Sequence, residues 1–221
     1  TEAEIELVAA GKNFRAKTVI NCAGLYSDRM AKLFSLSLPG QIVPFRGEYY
    51  ALKAEYQALC RTLIYPVPNP KFPFLGVHLT RGVDGLVTCG PNAVLAFARE
   101  GYAFTDFNFK DLMQTITFPG FWKLAIPNMG YGMHEMWRSL SKQSFVRSLQ
   151  KLVPEVEAHM IEPYPAGVRA QVVHASGDLA DDFIIRKSRR SMHVVNAPSP
   201  AATSSLALGE TIGDEALTLF N

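Results

Sequence analysis

Short runs of β-forming residues, separated by turn residues, open the chain. They predict strands at residues 5–9 and 17–22, with the turn GKN between them. The second run leads directly into Gly24, and apolar residues then recur at helical spacing. Ser27 is placed to cap this helix. The pattern predicts a hairpin, followed by a strand, a glycine turn and a helix.

A second group of strands is predicted farther along, with one strand at residues 49–52 and a hairpin after it. The hairpin turn is the Asp-Gly pair at 84–85, a dipeptide that tolerates the positive φ angles of a tight turn. In the first strand of this hairpin, Val77 and Leu79 share one face, and His78 points to the other face.

Helical spacing dominates residues 110–152, interrupted by prolines and glycines. The β-rich segments GVRAQVV, DFIIR and MHVVNA follow, and a last helix is predicted from about Pro200 onward. This order of strand and helix, separate sheet, helices, returning strands and terminal helix predicts an α/β domain interrupted by an α+β domain.

Composition narrows the functional class. The 221 residues are 48% hydrophobic, and the formal charge of +2 argues against nucleic acid as a partner. The basic run RKSRR at 186–190 is short and indicates a solvated turn. Three widely spaced cysteines form neither a disulfide framework nor a metal site, and no apolar run reaches the ~18 residues of a membrane span. We expect a globular protein of a reducing compartment, without a bound metal.

The turn before the last helix is the most informative segment for chemistry. In NAPSPAATSSLALGETI, Ser199 is a good N-cap and Pro200 suits the first helical position. The small residues Ala201 and Ala202 leave backbone amides uncovered for an anion or a developing negative charge. The alternative is a well-capped terminal helix without a ligand. The segment NCAGLYSD has the same two interpretations, close backbone approach to a cofactor or simple packing.

Five segments together resemble L-2-hydroxyglutarate oxidases and dehydrogenases, which are FAD enzymes of the D-amino-acid-oxidase-like group. They are VINCAGLYSDRMA, IVPFRGEYYAL, FLGVHLTR with GPNAVLAFAREGY, AGVRAQ, and HVVNAPSPAATSSLALGETI. They run in order from about Val19 to the end and resemble the C-terminal two-thirds of those enzymes. The family's G-x-G-x-x-G unit does not occur in these residues, so we expect a fragment that binds FAD poorly by itself.

The resemblance implies a fold and a domain plan. A partial, Rossmann-like FAD-binding domain would be interrupted by a substrate domain built from a mixed sheet and helices. The expected boundaries are 1–40 and 164–221 for the FAD-binding domain and 41–163 for the substrate domain. Two segments of the FAD-binding domain would contact the cofactor, and the turn at 197–203 would support the pyrimidine end of the flavin. The implied cofactor-binding residues are Asn21, Ala23, Gly24, Ser199, Pro200, Ala201, Ala202 and Thr203.

The resemblance also implies oxidation of a 2-hydroxy acid, with hydride transfer to flavin N5 and loss of the hydroxyl proton to a base. His78 is the expected base because it lies in the matched strand FLGVHLTR, next to Gly76. A structural histidine bonded within the sheet is the alternative. His193 also lies in a matched strand, where packing without a catalytic role is the alternative.

A dicarboxylate substrate requires cations, and an arginine holds a carboxylate through two hydrogen bonds. Arg169 in GVRAQ matches a common position of the carboxylate-binding arginine in such enzymes. Arg46 is a second candidate, and its alternative role is to pair with a structural acid such as Glu48. Tyr65 and Asn92 are candidate polar residues lining the substrate site.

The expected reaction is the conversion of L-2-hydroxyglutarate to 2-oxoglutarate, with oxygen or a membrane quinone as electron acceptor. One alternative is a related flavoenzyme acting on an amino acid or glycerol 3-phosphate. Another is an inactive fragment that serves as an interaction module. We expect a cytoplasmic location, and the segment FPGFWKLAI offers a peripheral contact with the inner face of the cell membrane, although a core helix is the preferred interpretation.

Overall fold

The computed structural model describes residues 4–67, 76–198 and 201–219. The chain forms two compact units. Unit 1 consists of residues 1–42 and 170–221, and unit 2 consists of residues 43–169. These divisions lie at 42/43 and 169/170, where the sequence analysis placed boundaries at 40/41 and 163/164. The assignment of unit 1 to the cofactor and unit 2 to the substrate stays a prediction.

Unit 1 contains a hairpin and a three-stranded sheet. The hairpin pairs β1 (Ile5–Ala9) with β2 (Lys12–Ala16). In the sheet, β11 (Ser191–Asn196) lies between β3 (Val19–Asn21), to which it is parallel, and the antiparallel β10 (Ile184–Lys187). A short helix, α1 (Ser27–Leu33), follows β3, and α6 (Ser205–Leu217) ends the unit. Its core contains Ala31, Ile42, Val172, Ala180 and Val195.

Three local predictions in unit 1 were wrong. Strand β2 occupies residues predicted partly as a turn, because Ala10 and Gly11 both adopt positive φ and close the hairpin in two residues. Ser27 is the first residue of α1 rather than its cap, since the 3₁₀ turn Gly24–Tyr26 leads directly into the helix. Helix α6 begins at Ser205 rather than near Pro200.

The late start of α6 has a local cause. Residues 201–204 form hydrogen-bonded turns, and the first α-helical bond runs from the Leu208 amide to the Ser204 carbonyl at 2.9 Å. Thr203 and Ser204 favour such turns because their hydroxyls compete for backbone groups. The amide of Ala201 donates to the Pro198 carbonyl at 2.9 Å. The expectation of a free amide at Ala201 is therefore wrong.

Unit 2 is built on a sheet of six strands. Five strands follow the spatial order β5 (Leu63–Ile64), β6 (His78–Arg81), β7 (Val87–Gly90), β4 (Gly40–Leu52) and β8 (Val94–Leu95). Strand β9 (Ile161–His174) also pairs with β4. The predicted hairpin around residues 84–85 is confirmed, because β6 pairs antiparallel with β7.

Four helices follow the sheet, where the sequence predicted helical structure. They are α2 (Phe109–Ile116), α3 (Pro119–Ala125), α4 (Met129–Leu140) and α5 (Lys142–Leu149). Within the described residues, no helix has both the length and the hydropathy needed for a membrane span.

Helix α5 covers one face of the unit 2 sheet. Phe145, Val146 and Leu149 are fully buried there and pack with buried residues of the sheet, including Leu79 and Cys89. Burying a large apolar side chain contributes about 1.5–3 kcal/mol, so this contact is a principal source of stability for the unit. The opposite face of the sheet carries the side chains described below.

Candidate functional site

Strand register brings Tyr49 toward the candidate residue His78 on the sheet face opposite α5. Tyr50 pairs with Cys89, which pairs with Leu79, and this row of residues contributes to the core. One residue along, His78 pairs with Gly90, and Tyr49 lies against Gly90 from the other side. Because side chains alternate along a strand, Tyr49 and His78 share the face opposite the core.

Gly90 creates the space between these two side chains. A Cβ at this position would lie 2.7 Å from the Glu48 carbonyl oxygen and 2.9 Å from a ring carbon of Tyr49. The residue also has φ +146°, a conformation that L side chains rarely adopt. Glycine therefore lets the Tyr49 ring lie over the middle strand.

His78 is half-buried, and its surroundings define its protonation. Nδ1 lies 3.0 Å from the Gly76 carbonyl oxygen. A carbonyl only accepts, so Nδ1 carries the hydrogen and Nε2 of the neutral ring is an acceptor. Burial lowers the pKa of His78, the Gly76 hydrogen bond raises it, and the charge of Arg169 lowers it further. The net direction is downward, which favours the neutral imidazole at neutral pH.

Arg169, on β9, forms a pair with Tyr49. Its guanidinium donates a hydrogen bond to the phenol, since a guanidinium has no acceptor. Burial lowers the pKa of Arg169, while the Tyr49 contact and the nearby Tyr131 raise it. Burial raises the pKa of Tyr49, with the Arg169 charge acting in the opposite direction. A partly buried cation thus lies near His78, the arrangement expected for a carboxylate-binding site.

Tyr65 completes this cluster. Its ring stacks on His78 with centroids 4.2 Å apart and planes inclined by 18°. The structure therefore brings together three of the predicted residues, His78, Arg169 and Tyr65, and adds Tyr49. Tyr49 was not among the residues predicted from the sequence, although strand alternation places it on the face opposite the core residue Tyr50. We name Tyr49, Tyr65, His78 and Arg169 the sheet-face cluster.

Arg46 and Asn92 belong to a different network in unit 2, centred on Glu48. The Arg46 side chain is buried and lies 2.9 Å from Glu48 Oε1. Asn92 accepts from the Glu48 amide at 2.8 Å and donates to Glu48 Oε2 at 2.9 Å. Ser139 donates to the same carboxylate at 2.6 Å. These contacts favour the alternative in which Arg46 pairs with a structural acid, Glu48. The Asn92 side chain likewise forms its hydrogen bonds within unit 2.

His193 differs from His78 because both of its ring nitrogens are bonded inside unit 1. Nδ1 accepts from the Asn21 amide at 3.0 Å, so Nε2 carries the hydrogen and donates to Ser191 at 2.8 Å. The side chain is fully buried, and burial lowers the pKa of His193. Both nitrogens are committed to structure, which agrees with a packing role.

The segment after β3 fits the close approach of a flat cofactor. Asn21 turns its side chain inward, accepting from the Ala23 amide at 3.0 Å and donating to the Ser27 carbonyl at 2.9 Å. Ala23 is exposed, and a Cβ on Gly24 would meet no atom within 4 Å. This open backbone leaves room for a flat ligand, and the Asn21 side chain shapes the turn through its own hydrogen bonds.

The second predicted cofactor segment is described only in part. Ser199 and Pro200 lie outside the described residues. In the part of the turn that the structure describes, Ala202 and Thr203 are exposed and Ala201 is half-buried. Among the described residues, no group of three histidine, cysteine or acidic side chains is arranged to hold a metal ion.

Comparison with known proteins defines the family. The family model described as DAO, FAD-dependent oxidoreductase, matches residues 2–215. The chain therefore belongs to the DAO family of FAD-dependent oxidoreductases, and FAD is the cofactor of that family. The family resemblance inferred from the five sequence segments is confirmed.

Curated relatives carry more specific names. L-2-hydroxyglutarate dehydrogenase of Indibacter alkaliphilus is 50% identical over 209 residues, which cover 94% of this chain and 52% of the relative. The dehydrogenase of Escherichia coli K12 is 46% identical over 211 residues, covering 95% and 50%. The mitochondrial dehydrogenase of Mus musculus is also 46% identical, covering 95% and 46%. The chain thus spans about half the length of these relatives, not two-thirds.

A solved structure supports the fold. L-α-glycerophosphate oxidase from Mycoplasma pneumoniae, reduced with dithionite and with FAD bound, superposes with a TM-score of 0.55. The alignment covers 93% of this chain and 43% of the oxidase, at 18% sequence identity. The α/β class predicted from the sequence is confirmed, with several sheets and helices arranged as in an FAD-containing oxidase.

Proposed function

We propose that the protein containing this chain oxidises L-2-hydroxyglutarate to 2-oxoglutarate with FAD. The observation that carries the proposal is the sheet-face cluster, in which a neutral histidine with an accepting Nε2 lies near a partly buried arginine. The names of the relatives support the choice of substrate. FAD, when bound, would supply the hydride acceptor at N5.

The roles of the chain's own residues follow from their chemistry. Arg169 would bind a substrate carboxylate with its planar fork, and the Tyr49 phenol would hold that fork in orientation. His78 Nε2 would accept the proton of the C2 hydroxyl as the C2 hydrogen leaves. The cation also favours the neutral form of His78, so the two functions reinforce each other.

A substrate panel tests this function on the full-length protein. Anaerobic mixing with L-2-hydroxyglutarate should bleach the flavin absorbance, and the D enantiomer, glycerol 3-phosphate and amino acids should react far more slowly. A preference for an amine or for glycerol 3-phosphate would contradict the substrate assignment. Failure to bind FAD or to react with any of them would favour a noncatalytic interaction module. For a protein that does oxidise L-2-hydroxyglutarate, measurements of oxygen consumption and of quinone reduction would distinguish the two proposed electron acceptors.

We also propose a cytoplasmic location with a peripheral contact to an anionic membrane surface. Four large apolar side chains on one face of α4 are exposed, Met129, Met133, Trp137 and Leu140. Residues 109–149 contain two acidic side chains, both buried, whereas Lys110, Lys123, Lys142 and Arg147 are exposed. An apolar face with surrounding positive charge is typical of helices that lie in a membrane interface.

Vesicle sedimentation tests the membrane contact. Full-length protein should sediment with vesicles that contain phosphatidylglycerol and remain in solution with phosphatidylcholine alone. Trp137→Ser and Met133→Ser should weaken the binding. Equal recovery in the supernatant with both vesicle types would contradict the proposal.

A further inference from the structure

Tyr65 spans two neighbouring positions on the same face of β6. Its ring stacks on His78 at 4.2 Å, and its hydroxyl lies 3.2 Å from the Thr80 hydroxyl. His78 and Thr80 are two residues apart in the strand, so they project from the same face. The Tyr65 ring therefore covers the His78 imidazole, and the Thr80 hydroxyl holds the far end of the Tyr65 side chain.

The backbone around Tyr65 supports this placement. The preceding strand β5 pairs with β6 through Leu63 with Thr80 and Ile64 with Leu79. This register places Tyr65 beside residue 78 as the chain leaves β5. The Thr80 carbonyl also accepts from the Thr88 hydroxyl at 3.4 Å, which ties the same position to β7.

We propose that Tyr65 is a positioning residue, which fixes the plane of the His78 imidazole and shields one of its faces from water. The Gly76 carbonyl constrains Nδ1, and the stacked ring constrains rotation out of the plane, so together they determine where Nε2 points. The proposal rests on the proposed function of His78 as the base. It replaces the expectation that Tyr65 binds substrate.

Within the described residues, few other titratable groups act on the pKa of His78. Arg169, on β9, bears the charge that acts on the imidazole, and Tyr49, on β4, is hydrogen-bonded to Arg169. Neither group depends on Tyr65 for its position in the strand. Removal of the Tyr65 ring should therefore change the hydration and mobility of His78 while leaving the nearby cation in place.

NMR titration of the His78 ring tests the positioning role without measuring activity. In full-length protein, Tyr65→Leu should move the pKa of His78 upward toward 6.5, since water reaches the exposed face. Tyr65→Phe keeps the stacked ring but loses the hydroxyl contact with Thr80, so its His78 titration should shift by less than that of Tyr65→Leu. Tyr164→Leu is a matched control, because Tyr164 is 41% exposed and Tyr65 is 43% exposed. An unchanged His78 titration in Tyr65→Leu would overturn the proposal.

Steady-state kinetics provide the second readout. Tyr65→Leu should lower kcat by about tenfold with a small change in KM, and should shift the acid limb of kcat/KM to higher pH. Tyr65→Phe and Thr80→Val should lower kcat by less than Tyr65→Leu does, because both keep the stacked ring and lose only the contact between the two hydroxyls. A raised KM in Tyr65→Phe would show that the hydroxyl binds substrate, and this would overturn the proposal.

Two further comparisons separate the possible failures. If Tyr65→Leu does not fold, Tyr65→Met provides an unbranched replacement for the same measurements. If the His78 titration shifts but catalysis is unchanged, the positioning role stands and the proposed role of His78 as base fails. If neither changes in a folded variant, the positioning proposal fails and the function of His78 is unaffected.

Discussion

The Nδ1 atom of His78 lies 3.0 Å from the carbonyl oxygen of Gly76, two residues earlier in the chain. This contact assigns the hydrogen to Nδ1 and leaves Nε2 with a lone pair. In His193, by contrast, Nδ1 accepts from Asn21 and Nε2 donates to Ser191. Tautomer assignment therefore distinguishes the two histidines, both of which lie in strands that match the family, with His78 the expected base.

The activity should decline in acid at a pH below the ordinary titration of histidine. Burial has the largest effect and lowers the pKa of His78 from 6.5, the Gly76 hydrogen bond opposes it, and the Arg169 charge lowers it by a smaller amount. Protonation removes the base, so kcat/KM should be maintained above this lowered pKa and lost as the pH falls through it. A pH profile of the full-length enzyme checks this, with far-UV circular dichroism as the folding control. An acid limb centred above pH 6.5 would contradict it.

Arg169→Lys should mainly weaken substrate binding. A lysine retains the positive charge but lacks the planar fork and the fixed geometry toward Tyr49. A hydrogen bond to a charged group contributes about 1.5–3 kcal/mol, so KM for L-2-hydroxyglutarate should rise roughly 10- to 100-fold. Arg147→Lys, at an exposed position on α5, is the matched control. Unchanged affinity in Arg169→Lys would show that another group holds the carboxylate.

Tyr49→Phe should produce a smaller effect on the same step. The ring and its packing against Gly90 remain, but the acceptor that orients the Arg169 guanidinium is lost. The lost bond orients the guanidinium and does not itself hold the substrate, so only part of the about 1.5–3 kcal/mol of a hydrogen bond to a charged group should be lost from binding, and KM should rise roughly 2- to 10-fold. Tyr56→Phe provides a control elsewhere in unit 2. A large fall in kcat at constant KM would argue against an orienting role.

Gly90→Ala should destabilise the protein and disturb the cluster. The new methyl would overlap the Glu48 carbonyl and the Tyr49 ring, and the backbone has a φ that alanine disfavours. Overpacking of this kind costs about 1–3 kcal/mol in the free energy of unfolding, measured by urea denaturation. Gly132→Ala in α4, where a Cβ meets nothing within 4 Å, should instead be neutral or stabilising by about 0.5–1 kcal/mol. Equal stability of the two variants would contradict this interpretation.

The sequence was informative where hydrophobic alternation decided the structure. Val77 and Leu79 are buried and His78 is turned to the other face, as the period of two predicted. The same alternation places Tyr49 on the face opposite Tyr50, which packs against Phe145 in the core. Its partnership with Arg169 depends on the pairing of β9 with β4, and local spacing carries no information about such a long-range pairing.

The start of α6 could not be predicted from its capping residues. The sequence suggested a helix start at Ser199 and Pro200, yet the turns at 201–204 delay α6 to Ser205. Both starts satisfy the same capping rules, because Ser199 and Ser204 are equally good capping residues. The role of Arg46 depends on which group its guanidinium pairs with, and the sequence alone does not give that partner. Only the coordinates show that Glu48 also receives hydrogen bonds from Asn92 and Ser139.

The most direct measurement is the rate of flavin reduction in full-length His78→Gln, followed anaerobically by stopped-flow absorbance at saturating L-2-hydroxyglutarate. Loss of a general base should slow this step by roughly 100-fold or more, while FAD content and substrate affinity are largely retained. His159→Gln, at an exposed position, should react like the wild type. A His78→Gln enzyme that reduces its flavin at the wild-type rate would contradict the central claim that Nε2 of His78 accepts the substrate's proton.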